Sequence, residues 1–553
     1  MITFIQKAFR TFIRILITFS KQERVIFGIC VAAFLISGFF VVSSIIQSLT
    51  VVVPASGGNY TEGVVGQVSY VNPLLARDGS PDKDLIALLF AHTLDLAESV
   101  KHSTDFRKWN VRIKEGAVWH DNTPITSDDF VFTVQTIQNP DTFSPLYPDW
   151  QHITISRVSE REIMFQLEQP YASFESVLAE LRPIPKHIFE SIAPANMRLS
   201  KYNFEPIGSG PFSVVGSNVE DTGFVRSYEV QRNNLYAPIG HLAYLDTITL
   251  DFFEDEQALV DAYNKGQLDG ICTTNPKLIE RITVRAQEES IPSLKYYAIF
   301  LNQSSNTLLR YTEVRKALMA ALDTKTLITD VFNGQATSMQ GPLPVALAID
   351  QKNTSAGAPD TILSQAGWKR NETTGIWEKG TLSLSATLSI PASEPLQTIA
   401  QKVVQQWQNV GMNITIDARD PKTLADEVIK TRNYQMLLFG NILLSNPDLF
   451  HFWDSSEKFY PGLNYSLYEN KTVDTYIAAL KRIGTEDERR AQYLSAIASQ
   501  INSDIPALFL ISPNYIYITK TSLGGISTKA ISLPDERFGN SIDWHIKTKR
   551  VLK

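Results

Sequence analysis

Between Leu382 and Asp417 the chain carries a pattern that only one kind of sheet accommodates. Leu382, Leu384, Ala386, Leu388 and Ile390 alternate with Ser383, Ser385, Thr387 and Ser389, the period of a strand. Leu396, Ile399, Val403, Trp407 and Val410 then share one face of a helix that opens near Pro395 and closes at Gly411. Asn413–Asp417 reads as a second strand. Two strands joined through a helix run parallel, because a short turn can only reverse the chain. This part of the protein therefore builds a parallel sheet covered by helices, and the fold class is α/β.

A second constraint is the run Lys295–Asn302, K-Y-Y-A-I-F-L-N. It is apolar and aromatic at every position from Tyr296 to Leu301, which suits a strand buried on both faces. A helix signal follows, with Thr312 as N-cap and Val314, Leu318, Ala321 and Leu322 on one face. With 553 residues the chain needs more than one core. The run stands near the middle, so we read it as the place where the chain leaves one lobe and enters a second. A cleft between lobes is a common place for a ligand.

The N-terminal region has its own character. Lys7, Arg10, Arg14, Lys21 and Arg24 stand against the single acid Glu23, and Val25 to Val53 carries no charge at all. The apolar part, Val25–Ile46, is long enough to span a bilayer, and the preceding cations place the N-terminus in the cytoplasm. We read 1–24 as a basic cytoplasmic segment, 25–53 as a transmembrane anchor and 54–58 as a linker. The alternative is a cleaved signal peptide, disfavoured by the length of both the apolar and the basic segments. Residues 1–24 carry +4 while the whole chain carries −7, so the remainder stands at about −11, which argues against nucleic acid as a partner. Two cysteines, one of them in the apolar run, leave no disulfide framework.

Further along, Trp109, Val111 and Ile113 alternate with polar residues, and Thr126 and Asp129 are spaced as a capping box. Here the chain resembles a known family. Tyr60-Thr61-Glu62-Gly63-Val64-Val65-Gly66 followed by Val71-Asn72-Pro73-Leu74 is similar to the opening of extracellular solute-binding proteins of family 5, the peptide-binding components of ABC importers. Lys114 to Phe130, K-E-G-A-V-W-H-D-N-T-P-I-T-S-D-D-F, resembles that family's most recognisable motif. Gly208-Ser209-Gly210-Pro211-Phe212 resembles its T-G-P-Y turn, and Tyr297–Asn302 its crossover strand. The resemblance implies a two-lobed periplasmic-binding-protein-like fold of type II, in the large cluster with an extra subdomain, here preceded by one N-terminal transmembrane helix. It implies a first lobe from 59–93, 203–300 and 505–553, an inserted subdomain at 94–202 and a far lobe at 301–504.

The same resemblance points to a site. Phe439–Trp453 is similar to the family's W-x-x-D-x-x-D-P-D-x-F segment, whose first acid meets the ammonium of a bound peptide. Here Asn446-Pro447-Asp448-Leu449-Phe450 keeps the end of that pattern, but the acid's position falls at Leu443. Recognition of a free N-terminus is therefore not expected there, and Asp78, in Arg77-Asp78-Gly79, is a substitute to consider. The ligand-binding set implied is Arg77, Asp78, Gly79, Asn302, Asn441, Ile442, Leu443, Asn446, Asp448, Trp453 and Asn514, with no cofactor and no metal.

The sequence has no G-x-S-x-G, H-E-x-x-H or G-x-x-x-x-G-K-[ST], so an extracellular hydrolase is disfavoured and the chain reads as a non-enzyme. His120 belongs to a structural turn in this reading, Asp128-Asp129 to a helix start, and Trp119, Trp150, Trp368, Trp377 and Trp407 to cores. The expectation is a monomer in the cell membrane, single-pass, its binding domain outside. It would capture a peptide or other small solute and deliver it to ABC permease subunits that carry a cytoplasmic ATPase. A surface sensor or scaffold without transport is the competing reading.

Overall fold

The computed structural model describes residues 18–351, 357–444, 447–520 and 523–553. The chain forms two units. The smaller comprises the described residues up to Gly57 together with His545–Lys553, and the larger is Gly58–Trp544.

In the smaller unit a helix spans Lys21–Leu49, 29 residues with none buried. It is long and apolar enough to cross a membrane. Its start is a capping box: the Glu23 N–H donates to the Ser20 hydroxyl, and the Glu23 carboxylate accepts from the Ser20 N–H at 2.8 Å. The helix does not run on to Val53, as the uncharged run suggested. Thr50–Ala55 is a strand that pairs antiparallel with Lys547–Leu552, so Pro54 and Ala55 are paired backbone and not linker. The reason is local and tertiary together. Thr50-Val51-Val52-Val53 is entirely β-branched, which disfavours helix, and a partner strand is at hand.

The larger unit contains two main sheets and two smaller ones. The seven-stranded sheet runs in the order Gln287–Ile291, Tyr515–Thr519, Gly270–Thr273, Asn59–Val65, Thr247–Phe253, Val225–Arg232, Phe212–Val219. The six-stranded sheet runs Ala336–Ser338, Ala507–Pro513, Lys295–Leu301, Met436–Ile442, Ser385–Pro391, Asn413–Arg419. The parallel unit expected from the sequence is its edge: Ser385–Pro391 pairs parallel with Asn413–Arg419 across the helix Leu396–Asn409. That helix buries Ile399, Val403 and Trp407, and the Trp407 indole donates to the Leu318 carbonyl at 2.9 Å.

Lys295–Leu301 lies in the interior of the six-stranded sheet, which explains its unbroken apolar run. Tyr297, Ile299 and Leu301 face one core, and Tyr296, Ala298 and Phe300 face another. This strand was assigned above to the first lobe, and Ala507–Pro513 likewise; both instead pair in the far sheet. The chain changes sheet between Ile291 and Lys295, and again at Asn514. There the Ser512 hydroxyl bridges the Ser293 and Lys295 carbonyls at 2.8 and 2.7 Å, so the two crossings are tied side by side. The last nine residues, placed above in the first lobe, belong to the smaller unit.

A four-stranded antiparallel sheet, Ala97–His102, Lys108–Ile113, Glu162–Leu167 and Ile153–Ser159, carries the helix Ser127–Gln138. Asp129 accepts the Thr126 N–H at 2.8 Å, as the capping pattern suggested. Trp119 is fully buried in this core. His120 next to it is a clamp: its Nδ1 accepts from the Gly208 N–H at 3.1 Å, and its Nε2 bonds the Gly210 carbonyl at 3.2 Å. Burial pushes this imidazole down to about 4, so it stays neutral. Glycine is required at 208 and 210, because a Cβ at either would sit within 3 Å of the Leu88–Leu89 backbone.

Candidate functional site

Four cavities adjoin one another along the larger unit, and each shares a wall residue with the next. The first, of about 290 Å³, lies between Tyr171 and neighbours in the inserted subdomain and Asp448, Phe450 and Lys481 in the far lobe. Asp149 is common to it and to the largest, of about 480 Å³. Asp535 joins the largest to a third of about 160 Å³ under Gly63–Val65. Glu256 joins that to a fourth of about 290 Å³, walled by the first lobe and by Val331, Phe332 and Glu394 of the far lobe. The lobes touch along this line. The Ala172 N–H donates to the Lys481 carbonyl at 2.9 Å, the Tyr171 hydroxyl bonds Asp448, and the Ser532 hydroxyl donates to the Leu443 carbonyl at 2.6 Å.

The largest cavity has too many acids for its cations. Asp78, Asp95, Asp149, Glu180, Asp535 and Glu536 line it, against Lys83 and Arg182. Lys83 pairs with Asp78 at 3.2 Å. Arg182 directs its guanidinium to the Ile86 and Phe90 carbonyls and, at 2.7 Å, to the His92 Nε2. His92 is pushed down to about 3 by burial and by Arg182, so it adds no positive charge. Glu536 accepts the Ser532 and Leu533 N–H groups at 2.9 and 3.2 Å, yet burial, with Glu180 and Asp535 beside it, raises its carboxyl to about 7. Burial also raises Asp149, Glu180 and Asp535, although the first two open onto the cavity. The Oδ1 of Asp535 is enclosed and has no hydrogen-bond partner among the described residues. A cation placed here would ionise these groups and pair with them.

The residues named from the sequence are scattered by the fold. Asp78, Gly79 and Asp448 line cavities. Arg77 sits exposed in the turn beside Asp78. Asn302 is buried at the end of its strand, donating to the Arg432 carbonyl at 3.1 Å and capping the turn at Ser304 and Ser305. Asn441 is buried and donates to the Tyr296 hydroxyl at 2.9 Å, and Trp453 is a core residue of the far lobe. Asn514 stands at the crossing, bonded to Ser290 at 2.8 Å. Ile442 is exposed, and Asn446 lies outside the described residues. Leu443 packs in the far-lobe core at 1% exposure, and it is Leu444 that lines the cavity.

The acids at 149, 180, 535 and 536 were not singled out from the sequence. They come from three short helices, Tyr147–Trp150, Phe174–Glu180 and Pro534–Asp543, the last far along the chain from the other two, and the one local hint is the charged triplet Asp535-Glu536-Arg537 after Pro534. Among the described residues no group of three or more His, Cys, Asp or Glu is placed to hold a metal ion.

Comparison with known proteins gives this cleft a context. The chain is 25% identical over 485 residues to the oligopeptide-binding protein AppA of Bacillus subtilis, covering 83% of this chain and 87% of that one. The structure of that AppA, in complex with a nonapeptide, superposes with a TM-score of 0.68 at 24% identity over 90% of this chain and all of AppA (100%). The ABC transporter substrate-binding protein CtaP of Listeria monocytogenes superposes with a TM-score of 0.73 at 23% identity, over 89% and 100% of the two chains. The two-lobed periplasmic-binding-protein fold is thus established. A profile described as bacterial extracellular solute-binding proteins, family 5 Middle, matches residues 93–459, so the chain belongs to the family 5 extracellular solute-binding proteins.

Proposed function

We propose that the protein is a membrane-tethered extracytoplasmic receptor that closes its two lobes around a peptide or similar solute and delivers it to an ABC permease. The observation that carries this reading is the line of cavities with shared walls, bounded by both lobes at its two ends. Such a line suits an extended solute like the peptide held by AppA. Capture and delivery need no chemistry on the solute. They need contacts between the lobes that favour closure, and Ala172 to Lys481 is such a contact across them.

The surplus of acids selects the charge of that solute. Leu443 offers no carboxylate, but the first lobe and its inserted subdomain supply several. The ligand class is therefore a solute with a cationic group, such as a peptide ammonium, seated among Glu180, Asp535 and Glu536. Titration calorimetry with matched free and N-acetylated peptides tests this. Acetylation should weaken binding about tenfold or more, or roughly 1.4 kcal/mol; equal affinities would rule out ammonium recognition.

The pH dependence has a defined sign. Glu536 must be ionised to pair with a cation, and its carboxyl stands at about 7 in the free protein. Affinity should be greatest above that pH and fall as the group protonates, by about tenfold between pH 8 and pH 6 for a single titrating carboxylate. Glu536→Gln should flatten the profile. A profile that is flat in the unmodified protein contradicts the assignment.

The tether is the helix Lys21–Leu49, whose own charged residues, and those before it in the chain, all precede Val25. Intact-mass measurement of protein extracted from membranes should find it retained. A mature N-terminus after Ser44 would instead mark it as a cleaved signal.

A further inference from the structure

We infer that the ribbon of Thr50–Ala55 and Lys547–Leu552 is a cationic collar that binds the phosphate groups of anionic lipids where the apolar helix leaves the membrane. This rests on the tether reading above. The ribbon carries Lys547, Lys549 and Arg550, and Lys553 follows at once, its N–H donating to the Leu49 carbonyl at 3.0 Å. No acid occurs in residues 50–57 or 545–553, and none of the four cations forms an ion pair among the described residues. All four are exposed, and Arg550 donates to the Thr50 hydroxyl at 3.2 Å.

Position follows from length. From Val25 to Leu49 the helix rises about 37 Å, while the hydrocarbon core is about 30 Å thick. The excess, about 7 Å, matches the depth of one headgroup layer. A helix that enters the core at Val25 therefore delivers Thr50 to the outer part of the headgroup layer, from which long cationic side chains reach back to the phosphates. The ribbon's composition is ordered to match. Its near end is apolar and exposed, with Val51 at 44%, Val52 at 48% and Leu552 at 79%. Lys549 and Arg550 come next, within about 10 Å of that end by strand rise, and Lys547 lies beyond. Lys553 is level with the helix end, and its long stem lets the ammonium reach phosphate.

The cations also surround the ribbon. Directly paired residues share a face, so Lys549 (opposite Val53) and Lys547 (opposite Ala55) lie on one side, and Arg550 (opposite Val52) on the other. A protein partner would dock on one face. A headgroup layer meets both, which is why lipid is the occupant this arrangement fits. These cations do not conflict with the topology set by the N-terminal charges, because they lie about five hundred residues beyond the helix, far outside the stretch that sets orientation.

The test uses the full chain in nanodiscs of phosphatidylcholine with about one part in five of phosphatidylglycerol, released for native mass spectrometry with few lipids attached. The retained lipids should be enriched in phosphatidylglycerol about threefold over the loading ratio. The variant Lys547→Ser, Lys549→Ser, Arg550→Ser, Lys553→Ser should lose most of that enrichment. The basic residues before Val25 remain in both proteins, so the difference isolates the ribbon. Replacing the three lysines by arginine should preserve enrichment, and hydrogen exchange at 547–552 shows that each variant ribbon is still paired. Equal enrichment in the parent and the serine variant overturns the collar. A chain whose mass begins after Ser44 refutes the tether instead, so the two failures are distinguishable.

Discussion

Arg537→Met should cost the larger unit about 3–5 kcal/mol of stability, the penalty of stranding buried charge. Arg537 is 2% exposed. Its Nε donates to Glu62 at 2.6 Å, and its two terminal nitrogens grip Asp84 at 2.7 and 2.8 Å. Glu62 is held from the other side by the hydroxyls of Tyr517 and Tyr60, at 2.5 and 2.9 Å. Burial by itself raises the Asp84 carboxyl, and Arg537 is what opposes that rise. Removing the guanidinium leaves two enclosed carboxylates facing each other, and one must take up a proton or draw in water. Thermal unfolding and urea denaturation measure the loss. The triple variant with Glu62→Gln and Asp84→Asn should recover most of it, because it removes the stranded charges together. A single variant within about 1 kcal/mol of the parent would mean that the network is not maintained in solution. The site should feel the change as well: Asp535 and Glu536 immediately precede Arg537, so solute affinity should fall with stability in the single variant.

Trp119→Ala should be comparably severe, about 3–5 kcal/mol, for a different reason. The indole is 0% exposed, in the core that joins the inserted sheet to the first lobe. Its backbone is fixed by the Thr123 carbonyl at 2.8 Å, and the next residue is the His120 clamp on Gly208 and Gly210. Truncation opens a cavity that these ties keep from collapsing. The melting temperature should drop sharply, while solute affinity of the still-folded fraction stays near that of the parent. An unchanged melting temperature with weakened binding would instead make Trp119 a ligand platform.

Much of the architecture was legible because its signals are local. Alternation at Leu382–Ile390 and the helical stripe through Trp407 require a strand and a helix wherever the chain goes. The unbroken run at Tyr296–Leu301 required a strand covered on both faces, and the structure supplies two cores for it. The lobe boundary was misplaced by one strand at each crossing. Strand character is visible in a sequence, but the sheet a strand joins depends on partners such as Met436–Ile442, far along the chain. The site was less legible still. Leu443 stood out by resemblance, yet just past the end of its strand its side chain turns into the core while Ile442 and Leu444 stay on the open side.

What the sequence by itself determined is whatever a few neighbouring residues decide: caps, periodicities, the length of the apolar helix and the sign of the charges that flank it. The tertiary structure alone decided which distant charges meet. It gathered Glu180 and Glu536 around one cavity with fewer cations than acids, and it set Lys549 and Arg550 against the end of a helix about five hundred residues earlier. Local pattern carries no information about such meetings. They follow from closing long loops onto a sheet, and that closure is driven by apolar burial that is indifferent to which charges it brings together.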